Sequence, residues 1–265
     1  MSKYIFYELK EKTAYITLDD PATKNSLHFT VLKDIQEFFQ TAESDPRVRC
    51  VVLKGTGGVF SSGGNINSMN DPSQRIIDGE VLEGEKIIKL FSDTVWKIRQ
   101  CLKPTVACLE GVVAGAAISL ALACDFRYAA DGCKMVFAFP QVGLMADSGI
   151  LALLKNIAGY PAATELALFG GKIGTQKAIS LGLINEAVPR EEYDSFVESK
   201  IKQLSNGPTL AYRASKICLN ALLEKDFEIC TDLEKKLIPL LRNSNDHKEA
   251  VNSFIEKRQP VFTNS

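Results

Sequence analysis

The longest apolar stretch of the chain, residues 112–124, is interrupted by Gly115 and Ser119 and runs directly into Asp125. It falls short of the roughly 20 residues that a bilayer span needs, so no membrane passage is expected of it. Immediately before it, Thr105-Val106-Ala107-Cys108-Leu109 reads as a buried strand. Gly111 to Gly115 turn that strand into a helix over 116–123, whose small side chains suit close packing.

The surrounding chain alternates in the same way. Residues 5–9 and 14–18 are β-rich runs separated by Lys10-Glu11-Lys12-Thr13, a length suited to a hairpin. After Asp19-Asp20-Pro21, the residues Phe29, Leu32, Ile35, Phe38 and Phe39 recur at helical spacing, and 50–53 form the next buried strand. Ile87, Phe91, Val95, Ile98 and Leu102 mark a second amphipathic helix, ended by Pro104. Further strands are expected at 126–129, 135–138 and 184–188, with short helices at 150–157, 164–168 and 176–181. Residues 69–85 are polar and weakly periodic, a candidate mobile flap.

From residue 191 onward the pattern is helical, with segments near 191–204, 208–223, 226–241 and 246–258. Asn206-Gly207-Pro208, Glu224-Lys225 and Asn243-Ser244-Asn245 separate them. The expected organisation is therefore an α/β core over 1–190 and a helical region over 191–265.

Lys plus Arg number 31 against 32 Asp plus Glu, so no global basic field exists to gather nucleic acid or anionic lipid. Any anionic ligand must be held locally. The seven Cys include no C-x-x-C pair and lie mostly in apolar runs, which predicts reduced, buried thiols and a cytoplasmic protein. The amino-terminal residues alternate polar and apolar without the apolar run of a secretory signal.

Two turns are rich in small residues: Phe60-Ser-Ser-Gly-Gly-Asn-Ile66, and the stretch from Gly111 through Ala121. Each follows a buried strand. Small residues let main-chain N–H groups face a ligand, and the second turn adds a helix N-terminus, so together they suit a developing oxyanion. Tight packing turns explain the same composition equally well. Neither turn matches the phosphate loop or the dinucleotide fingerprint. With His28 and His247 both expected at the surface, no nucleophilic triad or multi-His metal site can be assembled, so no metal is expected. Asp19, Asp20 and Glu110 are expected to be solvated at strand ends.

In order, the hairpin, the 60–66 turn, residues 111–125, Phe139-Pro-Gln-Val-Gly-Leu144, Ala178-Ile-Ser-Leu-Gly-Leu183 and Phe254-Ile-Glu-Lys-Arg-Gln-Pro-Val-Phe262 resemble the enoyl-CoA hydratase/isomerase (crotonase) superfamily. The resemblance runs from about Tyr4 to Phe262. It implies an α/β spiral of β-β-α units, a C-terminal helical region that assembles as a homotrimer or hexamer, and acyl-CoA thioester substrates in fatty-acid metabolism. It further implies an enolate held by the N–H groups of Gly64 and Ala116, with no cofactor beyond the coenzyme A of the substrate. Coenzyme A contacts are implied for Lys24, Ser62, Gly64 and Ile66, and for Lys257 and Phe262 reaching in from a neighbouring subunit. Ala116 stands where the family usually has Gly, which a backbone donor tolerates.

The two Glu positions of the family's hydratases are Ser119 and Gln141 here, so hydration lacks both of its working carboxylates. Asp147, in Gly143-Leu-Met-Ala-Asp-Ser-Gly149, resembles the single acid–base Asp of the enoyl-CoA isomerase and 1,2-epoxyphenylacetyl-CoA isomerase subgroup, with Ala146 in place of that subgroup's Pro. Apolar neighbours in sequence are expected to raise its pKa. From the residues alone, Asp147 reads equally well as the N-cap of the helix that follows. The resemblance implies a double-bond isomerase of Δ3 to Δ2 type using Asp147 as base and acid. Its alternatives are a ring-epoxide isomerase, a dehalogenase with Asp147 as nucleophile on an aryl-CoA, and a non-catalytic acyl-thioester binding homologue.

Overall fold

The computed structural model describes residues 2–65, 75–77 and 79–263. Strands β1 (Ile5–Lys10) and β2 (Thr13–Leu18) form the expected antiparallel hairpin, with Ile5 opposite Leu18. Helix α1 (Phe29–Ser44) then crosses to β3 (Cys50–Gly55), which pairs in parallel with β2. A short hairpin of β4 (Ile76–Ile77) and β5 (Glu80–Val81) precedes α2 (Glu85–Gln100). Strands β4 and β5 lie in the stretch read as a flap, of which residues 69–74 and 78 lie outside the described residues, as does Ile66.

Strand β6 (Thr105–Leu109) leads through β7 (Val112–Ala114) into α3 (Ala116–Ala123), followed by β8 (Phe126–Ala130) and β9 (Lys134–Phe137). Next come α4 (Ile150–Leu168), β10 (Gly171–Gly174), α5 (Thr175–Ser180) and β11 (Glu186–Val188). The main sheet runs β1-β2-β3-β6-β8-β11 and is parallel beyond the first hairpin; a smaller sheet runs β10-β9-β7. The 112–114 segment, read as part of a turn, is thus a strand, because it pairs in parallel with β9. Strand β10 carries two glycines and no apolar alternation, so only its pairing with β9 makes it a strand.

Strand β3 shows why the sheet reads as unbroken apolar runs. Val51 and Leu53 join the main core with α1, α2 and α3, while Cys50 and Val52 pack with Tyr193, Val197 and Ile201 of α6 (Arg190–Asn206). A strand covered on both faces has no polar side to show. All eight residues of α3 are buried, so its small side chains lie within the core.

The remaining helices are α7 (Thr209–Asn243) and α8 (Asn245–Glu256). The break expected at Glu224-Lys225 is absent: both residues are good helix formers, and the buried stripe Lys216, Asn220, Phe227, Thr231, Glu234, Ile238 runs through at helical spacing. The helices expected at 150–157 and 164–168 likewise join in α4, across a kink where Gly159 takes φ 78° and Pro161 follows.

A buried charge cluster fixes the placement of α7. Asp125 accepts the Thr105 N–H and hydroxyl, both at 2.9 Å, and pairs with Arg99 at 3.2 Å and with Lys216 of α7. Asn220 exchanges hydrogen bonds with Arg99 at 2.8 and 2.9 Å, and Phe227 stacks on Trp96 with ring centroids 4.8 Å apart. This anchorage sets where Glu234 and Arg242, further along α7, meet the core.

Five of the seven Cys are buried; Cys230 is half-buried and Cys218 exposed. No helix among the described residues is long and apolar enough to cross a membrane.

Candidate active site

The two small-residue turns are laid side by side by main-chain bonds. Ser61 N–H donates to the Val112 carbonyl and Ala114 N–H to the Ser61 carbonyl, each at 3.1 Å. Gly63 sits at φ 86°, and a Cβ there would come within 2.4 Å of the Ala114 carbonyl oxygen. Only glycine allows that approach. The result brings the first turn against the N-terminus of α3.

The Gly64 and Ala116 N–H groups have no acceptor within the chain among the described residues. Ala116 is the first residue of α3, where main-chain donors are left over by the helix geometry. Gly115, before it, takes φ 51° and spends its own N–H on the Val136 carbonyl at 3.0 Å. Gly64 and Ala116 both line one cavity of about 120 Å³, together with Ser62, Ile87, Phe91, Phe139, Asp147 and Arg242. The walls are mostly apolar, so a charge forming inside would be poorly shielded by water and strongly felt by the donors.

Asp147 does not cap α4: the N-cap residue of that helix is Gly149, at φ 71°, which has no side chain to offer. The Asp147 carboxylate accepts the Ser148 hydroxyl at 2.9 Å. Burial pushes its pKa above the usual carboxylate range, against the Ser148 hydrogen bond and the positive charge of Arg242.

The capping is done from another helix. Glu234 of α7, fully buried, takes the Gly149 N–H with its two oxygens at 3.0 and 3.1 Å. Cys230 adds its thiol at 3.2 Å. Burial, reinforced by the negative charge of Asp147, pushes the Glu234 carboxyl up to about 8. Burial thus holds both carboxyls of the pair above the usual carboxylate range. Sequence reasoning missed Glu234; its signal was a Glu seven residues after Phe227, on the buried stripe of α7.

Of the other expected site residues, Lys24 and Ser62 are neighbours: the Lys24 carbonyl accepts the Ser62 N–H at 2.9 Å, and the Lys24 side chain is exposed. Lys257 and Phe262 are exposed near the C-terminus and do not line the cavity of their own chain. Ser119 is fully buried, with its hydroxyl unpartnered. Gln141 bridges main-chain groups, donating to the Phe137 and Ala138 carbonyls and accepting from Gly171 N–H at 3.0 to 3.2 Å.

Three surface expectations are corrected. Asp20 is buried; it accepts the Thr23 hydroxyl at 2.6 Å and meets His28 Nε2 at 3.2 Å. Burial pulls its pKa upward, but the Thr23 and His28 hydrogen bonds outweigh this and hold it below the usual range. His28 is half-buried and stacked on Tyr4 at 4.9 Å. His247 is buried because α8 packs on the 140–142 turn, where its Nδ1 donates to the Val142 carbonyl at 2.6 Å. Asp19 and Glu110 are also engaged, with the Thr56 hydroxyl and with Arg190 at 2.9 Å.

A family profile described as Enoyl-CoA hydratase/isomerase matches residues 8–265. A trans-2-decenoyl-[acyl-carrier-protein] isomerase of Streptococcus mutans is 31% identical over 98% of both chains. A 1,2-epoxyphenylacetyl-CoA isomerase of Escherichia coli is 30% identical over 99% of both. The crystal structure of an enoyl-CoA hydratase from Mycobacterium avium subsp. paratuberculosis superposes with a TM-score of 0.88 at 28% identity, covering 98% of this chain and 99% of that one.

Proposed function

The chain belongs to the enoyl-CoA hydratase/isomerase family, the crotonase superfamily of enzymes, and from that premise we propose that it isomerises a 3-enoyl thioester to the 2-enoyl form with Asp147 as sole proton carrier. One observation carries the reading: Asp147 lines a small, mostly apolar cavity with Gly64 and Ala116, whose main-chain N–H groups find no acceptor among the described residues.

In this mechanism the thioester oxygen lies at the Gly64 and Ala116 N–H groups. Asp147 takes a proton from C2; the electron pair delocalises over the thioester and the double bond, and the negative charge on oxygen is held by the two donors. The carboxylic acid then returns the proton at C4, leaving the double bond between C2 and C3. Proton and electrons balance without a second acid or base. Hydration would need a further carboxylate to handle water, and the two matching positions are the walled-in Ser119 and the structural Gln141.

The thioester carrier is coenzyme A in this reading, as the name of the Escherichia coli relative has it; the Streptococcus mutans relative is named for an acyl-carrier protein. Lys24, Ser62 and Ile66 would meet the coenzyme, with Lys257 and Phe262 arriving from a neighbouring subunit, and no separate cofactor is required. Assembly as a homotrimer or hexamer is supported by an apolar groove of about 460 Å³ between α4 and α7, beside the exposed Tyr160, Leu168, Ile229 and Leu233. A cytoplasmic location fits the unpaired thiols.

The test is conversion of 3-hexenoyl-CoA to 2-hexenoyl-CoA, followed by the absorbance of the conjugated thioester. Turnover by the native chain and its loss in Asp147→Asn are expected. Turnover that survives the substitution rejects the assignment, and an acyl-aspartyl adduct found by mass spectrometry would assign Asp147 as a nucleophile instead.

A further inference from the structure

Arg242 stands where two cavities meet. It lines the inner cavity with Asp147 and Phe139, and it also lines an outer pocket of about 610 Å³ with Arg75, Glu83, His247 and Lys248. Among the described residues its Nε, shielded from solvent, finds no acceptor. That is unlike Arg127 and Lys216, the buried cations among the described residues. Arg127 donates to the Leu183 and Cys124 carbonyls at 2.8 and 2.7 Å, and Lys216 donates to the Lys103 carbonyl at 2.9 Å and pairs with Asp125.

A buried donor left unmet carries the cost of its lost hydration, and a guanidinium offers a planar fork of N–H groups suited to oxygen. An acyl group held at Gly64 and Ala116 would share its cavity with the apolar Ile87, Phe91 and Leu144 and with this guanidinium. A methyl terminus there would leave Nε unpaired and add desolvation. An oxygen would satisfy it, and the outer pocket beyond is polar enough to admit one. His247 does not compete, since its Nδ1 proton is committed to Val142.

Resting on the thioester reading above, we infer that Arg242 selects acyl thioesters whose distal end carries an oxygen acceptor, either a carboxylate or a hydroxyl.

The experiment measures dissociation constants by calorimetry for hexanoyl-CoA, 6-hydroxyhexanoyl-CoA and adipoyl-CoA. All three are saturated, so the readout is independent of turnover. The native chain is expected to bind at least one oxygen-bearing thioester about tenfold or more tighter than hexanoyl-CoA, and Arg242→Met to lose that preference. Preference for adipoyl-CoA alone assigns the carboxylate; equal preference for both assigns a neutral acceptor. Equal affinities for all three in the native chain, or a preference that Arg242→Met retains, overturns the inference. Should Arg242→Met fail to fold, the native comparison decides, with Arg242→Lys reporting whether the fork or the charge matters. Failure of the isomerase reading shows differently, as absent turnover of 3-hexenoyl-CoA with these affinities intact. No binding of any of the three overturns both.

Discussion

Glu234 holds the main-chain N–H of Gly149 between its two carboxyl oxygens at 3.0 and 3.1 Å, although the two residues lie 85 positions apart. Helix α7 thereby caps the loop that carries Asp147 and leaves the Asp147 carboxylate uncommitted to the helix. Replacing Glu234 by Leu keeps the volume but strands the Gly149 donor, at about 1–3 kcal/mol. The freed loop should also misplace Asp147. The expected outcome is a fall in kcat of about 10²-fold with little change in KM, measured with 3-hexenoyl-CoA beside a thermal melt.

Asp147→Asn removes the proton carrier while keeping the shape and the Ser148 contact. Acid–base catalysis of this kind contributes about 10²–10⁴-fold, so kcat should fall by at least that range. Stability should hold or rise, because an ionised group leaves an apolar setting that raises its pKa. Kinetics and melting of the same preparation check both halves.

Ala116→Pro isolates one oxyanion donor. Proline suits the first position of a helix, where its missing N–H breaks no intrahelical bond. Removal of one such donor costs about 10²–10³-fold in kcat. Circular dichroism should match the native chain while turnover drops. Undiminished turnover would exclude the Ala116 N–H from the transition state.

How far the sequence was legible depends on the range of the interactions involved. The 5–18 hairpin and the first two amphipathic helices are written in local periodicity, and they stand as read. Strands β7 and β10 were not legible, because their strand character comes from pairing with β9 rather than from their own residues. Gly64, Ala116 and Asp147 could be named from motif resemblance, whereas Glu234 and Arg242 could not. Their position beside Asp147 depends on the anchorage of α7 through Lys216 and Asn220. The same long-range packing buries His247, which local charge had suggested was at the surface.

Gly149→Ala should damage the site through backbone and sterics together. At φ 71° a side chain is strained, and its Cβ would lie 2.1 Å from the Phe227 ring. Shifting Phe227 would disturb its stack on Trp96. A loss of about 1–3 kcal/mol or more is expected in denaturant melts. Phe227→Ala in the same chain should relieve the steric part and leave the backbone part, which a double-mutant cycle resolves.

Stability should fall as pH rises from about 5 to about 8. Glu234 keeps its proton in the folded chain up to about 8, whereas the unfolded chain releases it near the ordinary value of 4.5. Between those values the native state binds more protons than the unfolded state, so unfolding releases a proton and raising the pH favours it. The raised Asp147 pKa acts in the same direction. Glu234→Gln retains an oxygen for the Gly149 N–H and does not titrate, so its melting temperature should vary less across this window and exceed that of the native chain at the alkaline end. Calorimetric melts of both chains at several pH values decide it. A slope unaltered by the substitution would place the titrating group elsewhere.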